Sequence, residues 1–135
     1  MTASTQAIND LATAVTAADA KGATQLIALD VVEQFALSDI FLIASGNSER
    51  NVQAISDEIQ DQMLEAGRKT LRREGRETGR WVLLDFGDII VHVFHHEERE
   101  YYDLERLWKD CPVIDTDSMI PGVSDLDSSA DSVVE

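Results

Sequence analysis

Residues 80–110 read RWVLLDFGDIIVHVFHHEEREYYDLERLWKD, a stretch that holds both tryptophans, both tyrosines and all three histidines of the 135-residue chain. Trp81 to Leu84 and Ile89 to Phe94 are apolar runs rich in β-branched and aromatic residues, and Asp85, Phe86, Gly87 and Asp88 between them have the composition of a turn. The pattern predicts a β-hairpin. Its runs are nearly continuous rather than alternating, so both faces of this part of the sheet are expected to be covered, one of them by helices from the rest of the chain.

After Phe94 the spacing turns helical. Tyr101, Leu104 and Trp108 fall at i, i+3 and i+7, and Glu97, Glu98 and Glu100 put negative charge in the first turn, where the helix dipole favours it. Glu105 and Lys109 add an i, i+4 pair. The expected helix buries the Tyr101, Leu104, Trp108 stripe and presents Glu98, Tyr102 and Glu105 on a second face.

Upstream, Ile8, Leu11, Ala12, Val15 and Ala18 form the apolar stripe of a helix from about Thr5 to Ala20, with Ser4 or Thr5 as N-cap and Gly22 as stop. A short strand, Gln25 to Leu29, and a connection through Ser38 lead to a second apolar strand, Ile40 to Ala44. The turn Ser45-Gly46-Asn47-Ser48 then opens a helix with the stripe Val52, Ile55, Ile59, Met63 and a C′ glycine at Gly67; Thr70 to Glu74 is a further strand candidate. This order predicts a single α/β (α+β) domain, a mixed β-sheet packed by helices. Beyond Cys111 the apolar periodicity ends and residues 113–135 carry six acidic residues and no basic one, so a domain over 1–112 and a disordered acidic tail over 113–135 are expected.

Composition narrows the function classes. The 44% hydrophobic content suits one core, and a lone cysteine, Cys111, excludes an intramolecular disulfide framework and fits a reducing cytoplasm. Neither a secretory leader nor a run approaching roughly 20 apolar residues is present, so export and membrane insertion are not expected. A net charge of −15 argues against general nucleic-acid binding and favours a basic partner. Six of the eleven basic residues nevertheless lie between Arg68 and Arg80, which reads either as a solvated strand and loop or as a local RNA contact.

Candidate chemistry is sparse. Gly46, Asn47 and Ser48 sit where a glycine turn feeding a helix can hold a phosphate, although N-capping by Asn47 or Ser48 explains the turn as well and no G-x-x-x-x-G-K-[ST] is present. Asp85-Phe86-Gly87 matches a kinase tripeptide without the rest of that machinery, and is read as a hairpin turn. His92, His95, His96 and Glu98 lack the H-E-x-x-H spacing of a zinc site, and Cys111 has no neighbouring histidine to activate it. No catalytic residue, metal or cofactor is therefore assigned.

The blocks W-V-L-L-D-x-G-D-x-x-V-H-V-F and D-L-E-R-L-W, joined by A-L-D-V at 28–31, D-x-F-x-I-A-S-G-N-S at 39–48 and A-I-x-D-E at 54–58, resemble the ribosomal silencing factor family, also called Iojap-like, over about residues 5–113. The resemblance implies a nucleotidyltransferase-like fold. In true transferases the strand after the Gly-Ser turn bears two carboxylates for metal ions, whereas Thr70 to Glu74 offers arginines, so transfer chemistry is not expected. A metal-dependent transferase or phosphate-binding enzyme using the Ser45–Ser48 turn is the alternative reading. The family further implies binding to a basic large-subunit ribosomal protein, the fourteenth in the standard naming, blocked small-subunit joining, and repressed translation under nutrient limitation. Trp81, Asp85, Asp88, His92, Tyr102, Leu104 and Glu105 match its ribosome-facing motif. The resemblance also supports a homodimer of the free protein, whereas a minor ribosomal RNA contact through Arg68–Arg80 is read from the basic run and a cytoplasmic location from the lone cysteine.

Overall fold

A computed structural model describes residues 2–120. Helix α1 (Thr5–Ala20) begins where the Ser4 hydroxyl accepts the Ala7 N–H, and Gly22 ends the turn after it with φ 79°. Strands β1 (Thr24–Asp30) and β2 (Ile40–Gly46) pair antiparallel, and α2 (Glu49–Glu65) follows with Ser48 as N-cap. Strand β3 (Arg72–Glu74) precedes the expected hairpin, β4 (Trp81–Asp85) and β5 (Ile89–His95). In its turn the Asp85 carboxylate accepts the Gly87 N–H, and Gly87 takes φ 92°, which glycine adopts without a Cβ penalty.

The six strands order as β3-β4-β5-β2-β1-β6, where β6 is Val113–Ile114. Among the described residues only the central β2–β5 pair is parallel, which makes the sheet mixed as expected. Helices α1 and α2 cover one face, burying Leu11, Val15, Val52, Ile55, Ile59 and Met63 against Leu42, Val82, Leu84, Val91 and Val93. Every residue of β5 is buried, but β4 alternates: Val82 and Leu84 enter the helix-side core while Trp81, Leu83 and Asp85 on the opposite face stay half-exposed. The opposite face of the hairpin is thus covered less completely than its apolar runs suggested.

Two further expectations change. The last helix is broken: α3 (His96–Tyr102) ends at Asp103, which is left-handed at φ 49°, and α4 (Leu104–Leu107) starts afresh beyond it. Leu104 and Trp108 do pack on the sheet, but Tyr101 is 78% exposed, because the break rotates it off the stripe. Residues 113–120, assigned to the tail by composition, belong to the folded unit. Val113 and Ile114 pair with Leu29 and Ala28, the Thr16 hydroxyl donates to the Met119 carbonyl, and Ile120 joins the helix-side core. The rest of the expected tail, residues 121–135, lies outside the described residues.

Candidate functional site

The face away from α1 and α2 is an aromatic layer. Phe41 from β2, Phe94 and His92 from β5, and Trp81 from β4 share it with Phe35, Trp108 and Tyr102. Trp81 stacks on Phe94 at 4.8 Å between ring centroids, Tyr102 lies 4.7 Å from Trp81, and Phe41 meets Trp108 edge to face at 5.0 Å. Trp81, Leu83, Phe35, Leu104 and Trp108 remain half-buried over this layer, and Tyr102 is 46% exposed. Such a surface, with large rings partly open and little helix above it, has the composition of an interface centre.

Five of the seven residues matched to the motif converge there: Trp81, His92, Tyr102 and Leu104 belong to the layer, and Asp85 ends β4 on the same face. Asp88 sits in the hairpin turn, its carbonyl accepting the Asp39 and Ile40 N–H groups while its side chain is half-exposed. Glu105 departs from the group, because its carboxylate turns back to accept a hydrogen bond from Arg99 Nε at 3.0 Å. The expected Glu105–Lys109 pair gives way to that contact. Leu83 belongs to the same face and was missed, although it lies two residues from both Trp81 and Asp85 and the period of a strand points to it.

His92 is the most unusual member. Its Nδ1 accepts the Trp81 indole N–H at 3.2 Å, its Nε2 is enclosed without a partner among the described residues, and burial pushes its pKa down to about 4. The ring is neutral at physiological pH. The zinc reading finds no support in the geometry: His92 stands in the aromatic layer, whereas His95 and His96 stack on each other at the start of α3, and His95 Nδ1 accepts the Glu97 N–H. Among the described residues no group of three or more such ligands is placed to hold a metal. Cys111 is buried in the second core near Gln34, and desolvation raises its thiol pKa, as suits a packing residue.

The Ser45–Ser48 turn serves capping. Asn51 accepts the Asn47 N–H through its side chain, and Ser48 Oγ accepts the Asn51 N–H. Gly46 is required by close packing, since a Cβ there would fall 2.8 Å from the Val52 methyl. Ser45 Oγ accepts from the buried Arg99 guanidinium at 2.8 Å and donates to Gln25. The carboxylate of Glu49 stands in the first turn of the helix itself.

The basic run is largely neutralised within the protein. Arg68 pairs with Asp10, Arg72 with Glu74, and Arg76 binds Asp57 through two hydrogen bonds of 2.8 and 2.7 Å. The Arg76 contact holds the Asp57 carboxyl below its usual pKa. Arg80 reaches Glu98 at 2.7 Å, Glu97 at 3.1 Å and Glu49 at 3.5 Å, tying the first turns of α2 and α3 together. Arg73 bonds the Gln60 amide.

Comparison with known proteins gives this arrangement its context. The family model described as ribosomal silencing factor during starvation matches residues 4–134. A Bacillus subtilis ribosomal silencing factor is 49% identical over 104 residues, covering 77% of this chain and 88% of that protein. A crystal structure from Bacillus halodurans superposes with a TM-score of 0.70 at 46% identity, covering 82% of this chain and 98% of that one. A mouse protein, mitochondrial assembly of ribosomal large subunit protein 1, is 28% identical over 91 residues, 65% of this chain and 40% of that protein. A match along nearly the whole chain, repeated in the fold itself, places this protein in the ribosomal silencing factor family.

Proposed function

We propose that the chain docks onto the large ribosomal subunit through the aromatic face of its sheet, meeting the basic fourteenth protein of that subunit and obstructing the small subunit. Translation is thereby repressed when nutrients are short. The observation that carries this reading is the convergence of Trp81, His92, Tyr102 and Leu104 on one incompletely covered face, with Asp85 and Asp88 at its hairpin end. Aromatic anchors supply binding energy at an interface centre, and carboxylates at the edge select a basic partner and speed encounter. A net charge of −15 extends that selectivity over the molecule. The name of the mouse relative, which refers to the large subunit, points the same way.

Docking of this kind requires no reaction. The transferase alternative would need carboxylates where β3 carries Arg72, Arg73 and Glu74, and free N–H groups in a turn whose side chains already cap it. Ribosomal RNA is at most a secondary contact, because most of the 68–80 arginines already hold carboxylates. The free protein pairs with a second copy through the same apolar face, and acts in the cytoplasm. No described helix is long and apolar enough to cross a membrane.

Co-sedimentation tests the reading. The protein is expected to travel with isolated large subunits, not small ones, and to lower the fraction of joined ribosomes. Wild-type protein that sediments with neither subunit would remove the proposal, and turnover of a nucleotide abolished by mutating the 45–48 turn would replace it with the enzyme reading. Sedimentation of the free protein at several concentrations decides the homodimer; a monomer at high micromolar levels ends that part.

A further inference from the structure

We infer that His92 is a concealed hydrogen-bond donor whose Nε2–H is completed by a main-chain carbonyl oxygen of the docked basic protein. This rests on the docking face proposed above and assigns one contact within it.

The tautomer is set by the partner. An indole N–H can only donate, so the Trp81 contact at 3.2 Å makes Nδ1 the acceptor and puts the proton of the neutral ring on Nε2. That donor is enclosed, and among the described residues nothing accepts from it. Its neighbours are rings: Phe41 stands edge to face at 5.3 Å, and Phe94 and Trp81 lie at 6.3 and 6.0 Å. A ring face is a second-order substitute for an oxygen. An unsatisfied buried donor is costly, and although the fold uses Nδ1 to hold the Trp81 indole, it gives Nε2–H no acceptor.

Location gives the orphan a use. His92 pairs across the ladder with Leu83 on one side and Ile43 on the other, in the middle of the aromatic face. Two further enclosed orphan atoms, Asp10 Oδ2 and Ser38 Oγ, belong to α1 and to the 31–39 connection rather than to the sheet. Leu83, half-buried and directly across the ladder from the ring, is the side chain a docking protein moves to reach it, with the Trp81 contact and the β4–β5 ladder intact. Lysine and arginine side chains carry donors and no acceptor. A basic protein therefore answers Asp85 and Asp88 with side chains and answers His92 with its backbone.

The test pairs His92→Phe with His92→Gln, which keeps a donor. Against wild type, His92→Phe is expected to bind isolated large subunits about tenfold more weakly, since the partner's carbonyl is then left unpaired. His92→Gln is expected to recover part of that affinity. A His92→Phe variant that binds as wild type does overturns the inference while leaving the docking reading intact, whereas wild type that fails to bind ends both. Nitrogen-15 spectra of the wild-type imidazole give a readout independent of how the variants fold: a proton on Nε2 is expected, and a proton on Nδ1 overturns the inference.

Discussion

Arg99 Nε holds the Glu105 carboxylate at 3.0 Å across Asp103, the left-handed residue that splits the last helix. Arg99 is almost wholly buried and is fixed at its other end to Ser45, 54 residues earlier in the chain. Burial lowers its pKa, and Glu105 is the counter-charge that opposes this. Glu105 therefore serves the fold as well as any interface. Removing it would leave a buried cation uncompensated, and because the carboxylate side is about one-third exposed, solvent recovers part of the cost. Glu105→Ala is expected to lose about 2 kcal/mol in urea unfolding, and Glu105→Lys more, by setting a like charge against Arg99. Wild-type stability in both would show that the pair contributes nothing.

Tyr102 is the cleaner probe of docking. It covers Trp81 from the solvent side and is 46% exposed, so truncation removes contact area with a partner while leaving the cores intact. Tyr102→Ala is expected to weaken large-subunit binding by about 2 kcal/mol, as loss of an interface anchor does. Asp88→Asn is expected to slow association at low salt and to match wild type at high salt, because an edge charge is screened. Asp85 is less suitable, since its carboxylate also holds the hairpin turn. Binding unchanged in both variants would place the interface elsewhere.

Acid stability provides a test of His92 that needs no partner. Its pKa falls from an ordinary 6.5 to about 4 in the folded protein, so between those values the unfolded chain binds the proton and the native state does not. The stability contributed by His92 is consequently fully present above pH 6.5 and is lost as the pH falls through that window, roughly 3 kcal/mol in all. The Asp57 and Glu97 carboxyls, also held below their usual values, lose their contributions only in the more acidic carboxylate range. In His92→Phe the decline between pH 6.5 and 4.5 is expected to be much shallower, as urea unfolding at a series of pH values would reveal. An unchanged slope would locate the titrating group elsewhere.

Gly75 couples the loop after β3 to Trp81. Its φ is 86°, and a Cβ would collide with the Trp81 carbonyl oxygen, so no other residue fits without moving the start of β4. Gly75→Ala is expected to cost about 2 kcal/mol and to reduce large-subunit binding through the displaced indole. Stability equal to wild type would mean that the loop relaxes freely.

Local pattern alone determined the order of the elements through β5, the hairpin, a cap at Ser4 or Thr5 and another at Asn47 or Ser48, and the stripes of α1 and α2, because each depends on contacts within one or two turns or on strand propensity; the structure chose Ser4 and Ser48. The family blocks carried the candidate site residues, five of which the fold gathers on one face. Tertiary structure decided the features that depend on partners distant in the chain. The spacing of Tyr101, Leu104 and Trp108 suits an unbroken helix, yet the pull of Arg99 toward Ser45 and Glu105 accompanies a left-handed Asp103 and turns Tyr101 outward. Likewise Arg68 and Arg76 look like free charge until Asp10 and Asp57 arrive from α1 and α2. Residues 113–120, which carry apolar side chains but no helical or strand periodicity, fold because β1 leaves an edge for β6 and α1 a surface for Ile120. Periodicity reports which side of an element is apolar; it carries no information about which charge, edge or ring from elsewhere in the chain will meet it.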